Sequence, residues 1–81
     1  MAKKSPLFSG NPALVSLGAV IRAERKAKGL SQEALAELAG IDRSYLGGIE
    51  RGEHNLAVIN LLKIADAMNI KVIDIIKKTK L

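Results

Sequence analysis

Two short amphipathic segments joined by a very tight turn constrain this fold more than any other feature of the sequence. The first segment, "SQEALAELA", begins at Ser31, a residue type preferred at helix N-caps, and stops before Gly40. Asp42 then offers a second N-cap after one intervening residue, Ile41. Helices joined this closely must cross at a steep angle, and Gly40 supplies the positive φ that the turn requires.

Helical signals continue on both sides of this pair. Asn11 followed by proline starts a helix over about Pro12 to Lys28. Apolar spacing predicts two more helices, one from about Val58 to Met68 and a short one over "VIDIIKK". The sequence therefore predicts an all-α, compact five-helix bundle over residues 12–81, which follows a flexible N-terminal arm over residues 1–11.

Composition supports a helical core and excludes several classes of protein. Hydrophobic residues make up 48% of the 81 residues and aromatic residues only 2%, so the core must be aliphatic. The chain has no cysteine, which excludes disulfides and thiolate metal sites. It also has no apolar run of about 18 residues and no secretory signal, so we expect a soluble, cytoplasmic protein.

The net charge of +5 fits a polyanionic partner, but the charge is unevenly distributed. Residues 1–28 hold six basic and one acidic side chain, whereas residues 29–55 hold two basic and five acidic ones. A nucleic-acid function therefore cannot rest on bulk charge. The chain has no paired carboxylates, activated nucleophile or phosphate loop, so we expect neither an enzyme nor a cofactor. A single histidine, His54, argues against a metal site.

The side chains between Gln32 and Ile49 meet the requirements of a helix-turn-helix. Apolar residues fill the wedge between the two helices, and helical geometry places Leu46, Ile49 and Glu50 on one side of the second helix. Its outer face can enter the major groove of double-stranded DNA, where residues near the N-terminus reach base edges. That outer face carries Arg43, Ser44, Gly47, Gly48 and Arg51.

Arg43 is the strongest candidate for reading a base. Its guanidinium can donate two hydrogen bonds to O6 and N7 of a guanine, whereas Ser44 discriminates less. Gly47 and Gly48 leave the following turn without a projecting side chain. These two glycines either let the helix sit deeper in the groove or are merely tolerated, each at about 1 kcal/mol relative to alanine.

From about Leu17 to Ile76 the sequence resembles the phage-repressor and Cro-like helix-turn-helix regulators of bacteria. The stretch "GLSQEALAELAGIDRSYLGGIERGEHN" is especially similar to the controller proteins of restriction–modification systems. The resemblance implies a transcription regulator, an activator or repressor, that binds a palindromic operator as a homodimer. The alternative is an antitoxin or interaction module, and RNA polymerase or a toxin would be a further partner.

The resemblance also implies roles for single residues. It places a phosphate contact at Gln32, and it implies a partly buried ion pair between Arg25 and Glu50. Ser31, beside Gln32, either only caps the helix or also contacts DNA. Tyr45 lies close to DNA in similar controller proteins, although burial of this tyrosine against the second helix is an equal alternative. Phosphate contacts are also expected after the recognition helix, from Arg51, His54 and Asn55.

The C-terminal segment holds more apolar side chains than a short terminal helix can bury against one bundle. Some of them should therefore be shared with a second subunit. The residues expected in this dimer interface are Ile70, Val72, Ile73 and Ile76. Ala57 and Lys71 stand where helices four and five begin, and neither side chain is a good N-cap.

Overall fold

The structure, a computed structural model, describes residues 9–80 and contains five α-helices and no strand within that range. The helices are α1 (Pro12–Ala27), α2 (Gln32–Ala39), α3 (Arg43–Glu50), α4 (Val58–Ala67) and α5 (Val72–Lys78). The all-α, five-helix prediction is confirmed. The first and fourth helices each end one residue earlier than predicted, because Lys28 and Met68 are their C-caps.

Local capping signals define where the first three helices start. The side chains of Asn11, Ser31 and Asp42 accept hydrogen bonds from backbone N–H groups two or three residues ahead. At the α2–α3 turn, Gly40 has φ +70°, and the N–H of Ile41 donates to the carbonyl of Ala36 at 2.9 Å. This left-handed glycine closes α2 and lets α3 start almost at once.

Each helix contributes one fully buried aliphatic side chain to a single core. These side chains are Ile21, Leu35, Leu46, Ile64 and Ile75. Since all five helices meet there, α3 is held by its neighbours even though it is only eight residues long. The absence of aromatic residues from this set agrees with the aliphatic core that the composition predicts.

A close approach of α1 to α3 fixes the position of the recognition helix. A Cβ added at Gly18 would lie 2.7 Å from the carbonyl oxygen of Glu50, closer than such atoms approach in proteins. Gly52, just after α3, has φ +74°, and a Cβ there would lie 2.6 Å from the Cα of Val15. Backbone therefore packs directly on backbone along this contact.

The predicted N-terminal arm falls only partly within the described chain. Residues 1–8 of the arm, with Lys3 and Lys4, lie outside the described residues. At its end, the N–H of Gly10 donates to the carbonyl of Gly52 at 3.0 Å. Ala57 and Lys71 precede α4 and α5, and neither side chain makes a capping hydrogen bond.

Candidate nucleic-acid interface

The first turn of α3 presents polar side chains outward. Arg43 is exposed and Ser44 is half-buried. The Ser44 hydroxyl donates to the Asp42 carboxylate, which also accepts from the N–H of Tyr45 at 3.3 Å. These hydrogen bonds, that from Ser44 first, lower the pKa of Asp42 below its ordinary value. Ser44 is thus occupied at the start of the helix, and Arg43 is the more available of the two.

The rest of α3 is buried. Every residue from Leu46 to Glu50 has little contact with solvent, including Gly47 and Gly48. Leu46 and Ile49 belong to the core, as their helical positions predicted. The two glycines were expected to face the groove uncovered, and the structure contradicts that for both, since Arg51 approaches Gly47 and His54 covers Gly48.

His54 occupies the space above Gly48. A Cβ placed on Gly48 would overlap the Nε2 and Cδ2 atoms of the imidazole. His54 is therefore only 8% exposed. The phosphate contact expected at His54 stays a prediction, and the imidazole is buried because the missing side chain at position 48 leaves a hollow that the ring fills.

Tyr45 packs on the same histidine and reaches α4. The two ring centroids are 5.1 Å apart with the planes at 47°, an arrangement within the favourable range for aromatic pairs. The Tyr45 hydroxyl accepts a hydrogen bond from Nδ2 of Asn60 at 2.9 Å. Tyr45 is therefore partly buried, as one of the two alternatives predicted. Burial against α2 was expected, whereas the contacts described here are with His54 in the following loop and with Asn60 in α4. Nothing in the local sequence indicated Asn60.

A buried ion pair stands where the family resemblance implied one. The Nε of Arg25 lies 2.7 Å from Oε2 of Glu50, and a second guanidinium nitrogen lies 3.1 Å from Oε1. Arg25 also donates to the carbonyl of Leu30 at 2.8 Å. Both side chains are nearly inaccessible, with 9% and 2% of their surface exposed. The pair joins the end of α1 to the end of α3.

Gln32 connects this ion pair to Arg43. Its Nε2 donates to Oε1 of Glu50 at 3.0 Å, and its Oε1 accepts from Arg43 at 3.3 Å. Gln32 was expected to bind a phosphate, and the structure adds a second role that spacing alone did not reveal. The amide orients Arg43 at the start of α3 through bonds that end on a buried carboxylate.

The remaining predicted contacts lie at the edges of this surface. The hydroxyl of Ser31 accepts from the N–H of Ala34 at 3.0 Å and caps α2. Arg51 is exposed and donates two hydrogen bonds of 3.1 Å to the Glu53 carboxylate, which raises the pKa of Arg51 further. Asn55 is exposed in the loop before α4.

The four residues predicted for the dimer interface are exposed to different degrees. Ile70, Val72 and Ile76 pack partly against the core, and only Ile73, at 54% exposure, projects freely. Three further exposed apolar residues of this region come from α4, and helical spacing in α5 gave no indication of them. They are Val58, Ile59 and Leu62. Ile59 and Leu62 line one groove with Ile70 and Val72.

Two further properties concern residues 9–80 only. In this range no group of three or more histidine, cysteine or acidic side chains is arranged to hold a metal ion. None of its helices combines the length and the apolar character that crossing a membrane demands.

Known proteins are similar to this chain in sequence over part of their length. Control protein C.SmaI of Serratia marcescens is 42% identical over 52 residues, which cover 64% of this chain and 62% of that protein. The immunity repressor protein of Bacillus phage phi105 is 41% identical over 58 residues, which cover 72% of this chain and 40% of that protein. The match thus spans less than two thirds of each of these relatives.

A solved structure extends the similarity to the fold. The restriction-modification controller protein C.AhdI from Aeromonas hydrophila superimposes with a TM-score of 0.76 at 52% identity, covering 76% of this chain and 94% of that one. The helix-turn-helix family model (HTH_3) matches residues 21–75, from the middle of α1 into α5. This chain therefore belongs to the helix-turn-helix family.

Proposed function

We propose that the protein is a sequence-specific, double-stranded-DNA-binding transcription regulator of the restriction–modification controller type. The observation that carries this proposal is the contrast within α3, which exposes Arg43 on its first turn and buries its remaining turn. A short helix fixed from behind and polar at its N-terminal end suits insertion into the major groove. The similarity to C.SmaI and C.AhdI supports the controller type.

Arg43 is the residue proposed to read sequence. A bidentate contact to guanine contributes about 1–3 kcal/mol of discrimination between base pairs. Its hydrogen bond to Gln32 restricts the guanidinium before DNA arrives, which lowers the entropic cost of the contact.

The test is selection of bound sites from a random DNA library, followed by binding measurements on the selected duplex. We expect Arg43→Ala to lose preference at one G·C pair in each half-site. Lys80→Ala is a matched control, because Lys80 is equally cationic and exposed but lies at the C-terminal end of the described chain. Unchanged affinity and preference in Arg43→Ala would contradict the proposed function.

We further propose that the regulator acts as a homodimer through the groove between α4 and α5. The exposed side chains of Ile59 and Leu62 would be covered by the same surface of a second copy. Two recognition helices related by a two-fold axis would read half-sites about 34 Å apart, hence a palindromic operator.

Sedimentation analysis tests the dimer. The double variant Ile59→Glu with Leu62→Glu should be monomeric, because charged side chains cannot be buried in this interface without partners. Leu38→Glu is the matched control, since Leu38 is an apolar side chain of α2 that is 62% exposed. A wild-type monomer at every concentration, or equal dissociation in the control, would contradict the arrangement.

The controller role is separable from DNA binding. It requires that the selected operator lie beside a restriction or modification gene and that binding change transcription from it. A neighbouring toxin gene instead would favour the antitoxin alternative.

A further inference from the structure

A groove beside the recognition helix joins Arg51, which was predicted to contact a phosphate, to two cationic side chains of α1 that the sequence did not assign to the interface. Arg22 and Lys26 of α1 line it together with Arg51, and all three are exposed. The wall between them is low, because it is formed by the small residues Ala19 and Ala23. The three cations therefore stand above a shallow apolar surface. We call this feature the α1–α3 groove.

The α1–α3 groove is continuous with the candidate base-reading surface. Arg51 folds back along α3 so that its guanidinium would lie 3.1 Å from a Cβ placed on Gly47. The amide atoms of Gln32 approach the same point to 3.8 Å, and Gln32 accepts a hydrogen bond from Arg43. Polar and cationic groups thus follow one path from Arg43 past Gly47 to Arg51 and into the groove.

The electrostatic balance of the groove favours an anion. Glu50 lines it, but its carboxylate is bonded to Arg25 and Gln32. Glu53 is paired with Arg51, and the side chain of Arg51 is 60% exposed whereas that of Glu53 is 16% exposed. Solvent therefore reaches the arginine and screens its side of the pair. A phosphate can therefore replace or share that partner, with Arg22 and Lys26 adding charge.

We propose that the α1–α3 groove binds backbone phosphates of duplex DNA that flank the base pairs read by Arg43, with Arg22 and Lys26 as the outermost contacts. The inference rests on the proposed function, because it takes DNA as the ligand of the adjacent surface. It adds α1 to an interface otherwise built from α2, α3 and the following loop. Phosphates are common to all sequences, so these contacts position the duplex without reading it.

The proposal is tested by the salt dependence of DNA binding, which reports how many counterions are released when cationic side chains contact phosphates. Binding constants of the full chain are determined over a range of salt concentrations, on the selected duplex and on a duplex of random sequence. Each phosphate contact that is removed should lower the magnitude of the slope of log K against log salt by about 0.9. We expect this change in Arg22→Gln and in Lys26→Gln, and about twice the change in the double variant.

Three further results are expected. The affinity should fall by the same factor on both duplexes, so the preference for the selected sequence is kept. Arg22→Lys should retain the wild-type slope, since it keeps the charge and changes the shape. Lys80→Gln, which removes an exposed charge at the end of the chain, should leave the slope unchanged.

Slopes for Arg22→Gln and Lys26→Gln that equal those of the wild type and Lys80→Gln would overturn the inference. If Arg43→Ala still loses sequence preference in that case, the proposed function stands and only the groove assignment fails. If the wild type binds neither duplex, both fail together. A loss of preference in Arg22→Gln, with the slope unchanged, would also overturn it, since the groove would then be reading bases.

Discussion

The first turn of α3 and the remainder of the same helix are built for different tasks. The first turn exposes Arg43 and ties its capping carboxylate to Ser44. The remaining turn is buried on every side, by the core, by α1 and by the ring of His54. The contrast teaches that α3 has two parts: a polar first turn with Arg43 and Ser44, which we call the tip, and a buried remainder from Leu46 to Glu50, which we call the stem. The position of the tip therefore depends on the contacts that hold the stem.

Removing the carboxylate that anchors the stem should have the largest effect. Glu50→Ala leaves the buried Arg25 guanidinium without its partner and Gln32 without its acceptor. We expect a loss of about 3–5 kcal/mol in the free energy of unfolding, measured by urea denaturation. The double change Arg25→Met with Glu50→Leu should restore much of this loss, because it leaves no buried charge.

The matched control for this prediction is Glu53→Ala. It also breaks an arginine–carboxylate pair, but one whose arginine, Arg51, is 60% exposed and whose Glu53 side chain is 16% exposed, so the expected loss is smaller, roughly 0–1 kcal/mol. Equal losses of unfolding free energy in Glu50→Ala and Glu53→Ala would show that the buried ion pair contributes no more to stability than the more exposed one, and would contradict this prediction.

The two glycines of the stem should respond differently to alanine. Gly47→Ala meets the movable end of Arg51 at 3.1 Å and the Gln32 amide at an ordinary contact distance of 3.8 Å, and it gains about 1 kcal/mol in helix propensity. Gly48→Ala must push the His54 ring out of its place, and overpacking of this kind costs about 1–3 kcal/mol. Thermal unfolding should therefore show that Gly47→Ala is stabilising, whereas Gly48→Ala is neutral or destabilising.

A double-mutant cycle tests whether the His54 ring is the cause of the penalty in Gly48→Ala. In a His54→Ala background the space above Gly48 is open, so Gly48→Ala should become favourable. The same penalty with and without the imidazole would show that the ring is not what occupies this site.

The smallest effect concerns the tip. The folded pKa of Asp42 is lowered, so its carboxylate contributes stability above its unfolded pKa, about 3.9, and that contribution is lost as the pH falls through the folded pKa. Asp42→Asn keeps a capping oxygen but removes this titration. The stability difference between wild type and variant should be constant near neutral pH and should shrink below about pH 4. A difference that is constant down to about pH 2 would contradict this account.

Features with a local cause were predictable from the sequence. Asn11–Pro12, Ser31 and Asp42 mark helix starts by the chemistry of their own side chains, and Gly40 marks the turn. These signals act within three residues, so no knowledge of packing was needed. They sufficed to predict the starts of α1, α2 and α3 and the tight turn, whereas α4 and α5, which lack a capping side chain, were predicted from apolar spacing.

Features that depend on distant parts of the chain were not predictable in the same way. Helical spacing placed Gly48 on the outer face of α3, but it could not show that a loop residue six positions later returns to cover it. Spacing likewise identified the apolar residues of the C-terminal segment. It did not show that Ile70, Val72 and Ile76 are partly buried against the core, or that α4 exposes Ile59 and Leu62. Whether a side chain is buried depends on its own segment and on the segment that packs against it, and the spacing of apolar residues describes only the first of these.

Because His54 packs on Gly48, the side chains that can be accommodated at these two positions depend on each other. A longer side chain at position 48, introduced to read an additional base pair, would collide with the imidazole unless position 54 became smaller at the same time. New operator preferences should therefore arise most readily through paired substitutions at 48 and 54. Libraries that vary position 48 alone would therefore lose those variants whose longer side chain cannot be accommodated while His54 is present.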